Sequence, residues 1–262
     1  MREKYKTFNR NRIQGICAAE IEPHLDFFTG AFKEWLAGRP MRVFLERPNR
    51  VFSVKLPMED RAVVVKEFGW RSPLHRLVRP LTGSKAIRSF RIAMTLREAG
   101  VATPRPLIAW DLKDGGAMTD SCFITEEIPD AITLRQILKS PMILGTERMA
   151  LLTELARLVR GMHDAGILHR DLTIGNFLVA PKSVEGGRIF LIDLSRAVHL
   201  GRVPFPLRLI DLARMKLLDL WPDFFTAYCA DRPDWKTWWR PLLRSLVWIR
   251  RRRMDLWKKI KG

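Results

Sequence analysis

The sequence predicts an α+β protein of two lobes, the first an antiparallel sheet with one helix and the second mainly helical. Three observations carry this expectation. Residues 42–68, "RVFLERPNRVFSVKLPMEDRAVVVKEF", alternate apolar and polar positions and are rich in Val and Phe. Beyond residue 130 the apolar period becomes that of a helix, in "TLRQILK" and the long "TERMALLTELARLVRGMHDAG". A chain of 262 residues with 47% hydrophobic content is also long enough to bury one large core or two smaller ones.

The elements follow in order. Residues 1–41 start polar and are read as an N-terminal extension. Antiparallel strands occupy 42–68, with Pro48, Asn49 and "PMED" marking the turns and "AVVVKEF" the last strand. A basic connector, "GWRSPLHRLVRPLTG", leads to Ser84, an N-cap residue by type, and to a helix that runs to about Ala99 and stops at Gly100. "ATPRPLIAWDL" and "SCFITEEI" read as two further strands. After the two helical patterns, the second closed by Gly166, a strand pair "NFLVA" and "RIFLIDL" flanks the loop "PKSVEGG". From "PFPLRLIDLARMKLLDL" onward the chain is mostly helical and rich in Trp. The lobes are therefore set at 42–129 and 130–262, and a small-molecule site is expected in a cleft between them.

Composition excludes several function classes. Cys17, Cys122 and Cys229 are scattered, with no CxxC pair and no histidine at ligand spacing, so neither a disulfide framework nor a zinc site is expected. A reducing, cytoplasmic compartment follows. No apolar run follows the basic start "MREKYKTFNRNR", and nowhere do 18 uninterrupted apolar residues occur, so neither secretion nor a membrane span is expected. The formal charge of +18, from 46 Lys plus Arg against 28 Asp plus Glu, calls for a polyanionic neighbour: nucleic acid, an anionic bilayer or a phosphorylated substrate. No nucleic-acid reading motif accompanies the charge, so specific nucleic-acid binding is not expected.

Four positions carry candidate chemistry. In "HRDLTIGNFLV", residues 169–179, Asp171 and Asn176 stand five apart, directly after a long helix and directly before a strand. Alone, such a pair could equally be an ordinary turn. Asp193 ends the apolar run of "FLIDLSRA", where a buried strand delivers a carboxylate, although a helix cap would look the same. Lys66 lies on the otherwise apolar strand "AVVVKEF"; a solvated edge-strand lysine is the plain alternative. Phosphoryl transfer needs a positioned hydroxyl, metal ions against phosphate charge, and a cation on the phosphates, and these four side chains are of the types it uses.

In this order, and with a strand-rich half before a helix-rich one, the positions resemble the protein kinase-like fold. More narrowly, "GSKAIRSFRIAMTLREAGVATPRPLIAW", "FITEEIPDAITL", "HRDLTIGNFLV" and "FLIDLSRA" resemble the bacterial lipopolysaccharide core kinases, the Kdo/heptose kinase family, over roughly residues 42–230. The resemblance implies an ATP- and Mg²⁺-dependent phosphotransferase whose acceptor is a sugar hydroxyl of the lipopolysaccharide inner core. It implies Asp171 as catalytic base, Asn176 and Asp193 as metal ligands and Lys66 on the phosphates. The backbone of Glu126 to Ile128 would hold the adenine, and Asp211 in "LIDLAR" would brace the catalytic loop. His169 is read as bracing the same loop, and His163 in "GMHDAG" as a structural helix-end residue.

Two departures stand against the pattern. The segment expected over the phosphates, "RPNRVFSVKLP", contains no glycine. The helix after Lys66 has Ser89 and Ala93 where protein kinases carry a glutamate, with Glu98 near its end as a substitute. These departures motivate a rival reading, a catalytically inactive kinase-like module that binds membrane or protein. A protein Ser/Thr kinase or another small-molecule kinase is the rival among enzymes.

The acceptor is indicated by an omission. Asp193 is followed after 18 positions by Asp211, already in a helical pattern, and no APE occurs, so the peptide platform of protein kinases is not expected. Nor has Arg170 an evident phosphorylated partner. A small or lipid-linked acceptor is favoured instead, which the resemblance makes a saccharide. The tail "WWRPLLRSLVWIRRRRMDLWKKIKG", residues 238–262, mixes nine Lys/Arg with Trp248, Ile249, Leu256 and Trp257 and suits an anionic membrane surface. At about 1 kcal/mol per basic residue, it would place the protein peripherally on the cytoplasmic face of the inner membrane without a spanning helix.

Overall fold

Alternation in the front half resolves into seven strands of one antiparallel sheet: β1 (Tyr5–Arg10), β2 (Ile13–Ala18), β3 (Arg42–Leu45), β4 (Arg50–Lys55), β5 (Ala62–Glu67), β6 (Pro106–Asp114) and β7 (Ala117–Glu126). Their spatial order is β1-β2-β6-β7-β5-β4-β3. The structure is a computed structural model that describes residues 5–58 apart from 11, 38, 40, 41, 47 and 48, then 62–69, 84–114, 117–140, 145–184, 187–215, 217, 220–230 and 245. The basic connector beyond Gly69 and the basic tail, Ser245 excepted, lie outside these residues. The chain divides into two units, Met1–Thr95 with Pro104–Pro129, and Leu96–Thr103 with Asp130–Gly262.

Register in the first unit is fixed by one row of side chains that crosses five strands. Phe52 pairs with Val65, Val65 with Ile124, Ile124 with Ile108 and Ile108 with Cys17, and all five are fully buried. Withdrawing each large apolar side chain from water is worth roughly 1.5–3 kcal/mol. A slip of one residue would turn the whole row outward, which sets the register strongly.

Within residues 1–41, set apart as an extension on sequence grounds, the described part from Tyr5 to Leu36 supplies two strands and the cover of this face. After β2 the chain runs through a 3₁₀ turn (Ala19–His24), a π-helical turn (Phe27–Ala31) and α1 (Phe32–Leu36). Phe28 and Phe32 pack on Trp110 of β6, with ring centroids 6.0 and 5.4 Å apart. Gly15 lets β1 close onto β2: a Cβ there would strike the Phe8 ring and stand 2.5 Å from the Ala109 carbonyl oxygen. On the other face lies α2 (Lys85–Glu98), where Phe90 meets Tyr5 and Phe123 edge-on. Ser84 caps this helix, its Oγ accepting from Ile87 N at 3.0 Å. At its centre Ser89 and Ala93 are buried, and Glu98 ends it exposed.

The second unit follows the helical period. Ile132–Thr133 (β8) leads into α3 (Leu134–Lys139), opened by a capping box between Thr133 and Gln136. In α4 (Gly145–Asp164) Leu151, Leu152, Leu155, Leu158, Val159 and Met162 form the buried stripe. Gly166, at φ 77°, turns the chain out of the helix as only glycine does without cost. Then come β9 (Ile167–Leu168), the hairpin of β10 (Phe177–Val184) and β11 (Gly187–Leu191), β12 (Val198–His199), α5 (Phe205–Leu212) and α6 (Trp221–Tyr228). The segment "PKSVEGG", expected as a loop, is mostly strand, with pairing continued to Val184 and Gly187. Between Asp193 and α5 stand only a 3₁₀ turn, the short β12 and a loop, in keeping with the missing peptide platform.

Candidate functional site

In the first unit Lys66 sits on β5, paired with Val51 of β4 and Phe123 of β7. The strand is interior, which removes the edge-strand explanation for a lysine there. Val63 and Val65 face the core, so alternation puts Lys66 on the opposite face, partly buried, with its Nζ 5.4 Å from the centre of the Phe68 ring. Val63 pairs with Glu126, so the segment at Glu126 to Ile128 leaves the sheet three residues along from Lys66, about 10 Å in strand rise. Glu126 N–H donates to the Arg105 carbonyl at 3.0 Å and Glu127 N–H to the Ala62 carbonyl at 3.1 Å. The Glu126 carboxylate is held by Arg105 at 2.7 Å. Arg105 also pairs with Glu20.

In the second unit the loop before β10 is irregular, and its bonds are specific. Asp171 carbonyl oxygen accepts from Thr173 N–H at 2.9 Å and from the Asn176 side-chain amide at 2.8 Å. That bond turns the Asn176 amide oxygen to the other side, where a cation could be met. The β10–β11 hairpin starts with Phe177 opposite Leu191, so Asn176 and Ile192 flank its open end, and Ile192 N–H donates to the Asn176 carbonyl at 2.9 Å. Asp193 follows directly, in the left-handed region at φ 58° and ψ 60°. The structure therefore brings Asp171, Asn176 and Asp193 to one end of one hairpin.

Asp211, on α5, holds this loop from beneath. Its Oδ2 accepts His169 N–H at 2.7 Å and its Oδ1 accepts Arg170 N–H at 2.8 Å. These bonds fix Arg170 at φ 64°, with its side chain exposed. His169 is fully buried, and its Nε2–H donates to the Ile192 carbonyl at 3.2 Å, tying the loop to the strand that ends at Asp193. Burial holds the His169 imidazole below its ordinary pKa and so neutral. Burial raises the Asp211 carboxyl, but the adjacent His163 imidazole, together with the donors from the loop, outweighs it and leaves Asp211 below its ordinary value.

His163 does more than end a helix. Its Nε2 stands 3.5 Å from Asp211 Oδ2 and its Nδ1 lies 2.7 Å from the Tyr228 hydroxyl. A carboxylate on one side requires Nε2–H, so Nδ1 accepts from the tyrosine. Burial depresses the His163 pKa and raises that of Tyr228, which keeps the imidazole neutral and the phenol a donor. The result is a buried line from α6 through α4 to the backbone of residues 169 and 170. Arg208 steadies it, with Nη1 on Asp164 at 2.6 Å and Nε on the Val203 carbonyl at 2.9 Å.

Two neighbours of the site escaped sequence reasoning. Arg196 Nη1 lies 3.3 Å from Asp171 Oδ2, and Ser195 Oγ donates to Asp193 Oδ1 at 2.7 Å. Both follow Asp193 within "LSRA", and that adjacency is the signal that could have marked them. Among the described residues no cluster of three His, Cys, Asp or Glu could hold a metal. No helix among them is long and apolar enough to cross a membrane.

The chain is similar to known proteins. A 3-deoxy-D-manno-octulosonic acid kinase of Vibrio cholerae is 29% identical over 119 residues, 45% of this chain and 47% of that protein. The lipopolysaccharide core heptose(I) kinase WaaP of Pseudomonas aeruginosa is 31% identical over 146 residues, 52% of each chain. The chain thus spans about half the length of the curated relatives it matches. A solved structure of WaaP in complex with acyl carrier protein matches with a TM-score of 0.59 at 24% identity, over 85% of this chain and 96% of that one, and shows the same α+β, protein kinase-like fold. The profile of the lipopolysaccharide kinase (Kdo/WaaP) family covers residues 62–224, from the first residue of β5 into α6, and takes in Lys66, Glu126, Asp171, Asn176, Asp193 and Asp211. By that match the chain belongs to the lipopolysaccharide kinase (Kdo/WaaP) family.

Proposed function

We propose that the chain transfers the γ-phosphoryl group of ATP to a sugar hydroxyl, Kdo or heptose, of the lipopolysaccharide inner core. The observation that carries this reading is the gathering of Asp171, Asn176 and Asp193 at the open end of the β10–β11 hairpin. Asp171, 30% exposed, would accept the proton of the attacking hydroxyl, with Arg196 holding one of its oxygens. Asn176 Oδ1 and the Asp193 carboxylate would hold Mg²⁺. A set of one carboxylate and one amide oxygen fits this ion, which takes few protein ligands and completes its shell with water and substrate phosphates. The ion would supply neutralisation of phosphate charge.

The first unit would serve the nucleotide. Lys66, on an interior strand and off the core face, would meet the phosphates. Because Glu126 and Glu127 direct their N–H groups to Arg105 and Ala62, the adenine would be met by Ile128 N–H and by carbonyl oxygens of this segment. His169 and Asp211 would support the loop without touching substrate. The basic tail would hold the protein to an anionic membrane surface on the cytoplasmic side of the inner membrane.

The test is transfer of labelled phosphate from ATP to purified core lipid, read by mass spectrometry of the product. Asp171→Asn should lower the rate roughly 10²–10⁴-fold with the fold retained. Label appearing in protein rather than saccharide, or full activity of the variant, would overturn the reading.

A further inference from the structure

Beyond the residues assigned so far, one arginine lies against the candidate catalytic loop. Arg135 occupies the first turn of α3, whose start is fixed twice: by the Thr133–Gln136 capping box and by pairing of β8 with β10, Thr133 opposite Leu178 and Ile132 opposite Val179. This places its guanidinium on Gly175, the residue before Asn176. A Cβ at position 175 would stand 2.8 Å from Nη2, 2.9 Å from Cζ and 3.3 Å from Nε of Arg135. Gly175 is not among the glycines of positive φ, so its backbone does not require glycine. What the missing side chain provides here is room for the guanidinium.

The charge of Arg135 is left open to solvent. Its side chain is exposed, and among the described residues it forms no ion pair or hydrogen bond. The carboxylate of Asp171 is already paired with Arg196, and the exposed Arg170 adds a further positive charge to the loop. A guanidinium is a planar fork of donors that matches a carboxylate or phosphate with two parallel hydrogen bonds.

We infer that Arg135 is a specificity-determining residue that binds an anionic group, carboxylate or phosphate, carried by the saccharide acceptor. It acts beside the hydroxyl that Asp171 would align, and the inference rests on the sugar-kinase reading above. Gly175 is the positioning residue for the guanidinium, and the acceptor class is a sugar that bears negative charge near its reactive hydroxyl.

The experiment uses the full chain with Mg²⁺, ATP and core saccharide, and reads the acceptor KM, the ATP KM and direct saccharide binding by calorimetry. Arg135→Ala should raise the acceptor KM and weaken saccharide binding about 10- to 100-fold, the range of hydrogen bonds to charged groups, with the ATP KM unmoved. Arg135→Lys should recover part of the loss. Gly175→Ala should act in the same direction, because the new methyl displaces the flexible end of Arg135 and leaves the fold intact, as a thermal melt would show. On an Arg135→Ala background it should add little.

Saccharides with the carboxylate esterified, or with phosphates removed, tell the two sources of charge apart. The unaltered chain should lose affinity for one of them, and Arg135→Ala should not distinguish that one from its parent. An unmoved acceptor KM, a change confined to the ATP KM, additive effects of the two substitutions, or no saccharide binding by the unaltered chain would each overturn the inference. Saccharide binding through Arg135 without any phosphate transfer would instead sink the kinase reading and leave only Arg135 as the anion-binding residue of a saccharide site.

Discussion

In the first unit Lys66 rides on an interior strand, placed by ladders to β4 and β7 and by the buried row of Phe52, Val65, Ile124, Ile108 and Cys17 behind it. In the second unit Asp171, Asn176 and Asp193 stand on irregular backbone, placed by side chains, above all by Asp211. The first arrangement spreads its hold over many cross-strand pairs, each worth roughly 0.2–1 kcal/mol. The second concentrates it in one buried carboxylate and the line behind it. Position on a sheet is thus held redundantly, whereas position on the loop is held by few groups, each of which matters.

The contrast breaks most readily at Asp211. Asp211→Ala removes two charge-assisted hydrogen bonds to loop amides, one buried and one partly buried, each worth roughly 1.5–3 kcal/mol, so urea denaturation should show a loss of several kcal/mol and transfer should cease. A loss under about 1 kcal/mol would mean that the loop is held by something else. In the sheet the corresponding weak point is steric. Gly15→Ala sets a methyl against the Ala109 carbonyl and the Phe8 ring, and should cost about 1–3 kcal/mol in the same assay. Because this strain lies on the β1–β2 side of the sheet, the ATP KM of the variant should stay near that of the unaltered chain at temperatures below its melt. A raised ATP KM would show the sheet to be less redundant than its ladders imply.

The smallest effect is a gradual one with pH. His163 faces Asp211, Arg208, Asp164 and Tyr228, and His169 faces Asp211, Asp193 and Asp171; burial depresses the pKa of both imidazoles below 6.5 in the folded chain. In the unfolded chain they protonate near 6.5, so below that pH the unfolded state binds more protons and stability falls. The loss should begin as pH drops through 6.5 and level off once pH lies below the depressed folded values. Midpoints of urea unfolding from pH 7.5 to 5 measure it. An Asp211→Ala variant should show a different slope, and a flat profile in the unaltered chain would remove the buried imidazoles from the account.

The same difference explains what could be read from the chain. Strands 42–68 and the capped helix from Ser84 are written in local pattern, and the structure has both. Residues 5–36 were not legible as part of the sheet. Both faces of the sheet are covered, so β2 is buried on either side and shows no alternation, while Pro23 and Gly30 interrupt the helical period that follows. In the candidate site, the spacing of Asp171 and Asn176 and the apolar run into Asp193 are local and were legible. Tyr228 meets His163 across 65 positions, and Arg135 meets Gly175 through the pairing of two strands, so neither contact leaves a local trace.

The backbone at position 193 also restricts what descent can do there. Its left-handed conformation is comfortable for few residue types, chiefly Gly, Asn and Asp, and of these only Asp carries a carboxylate. Conformation and charge are jointly satisfied by a single amino acid. Substitutions that the fold accepts most easily, to Asn or Gly, are therefore those that erase the anion. If Asp193 holds the metal as proposed, chains bearing either residue would keep the fold without the charged oxygen, and the identity of this one position would separate active chains from silent ones.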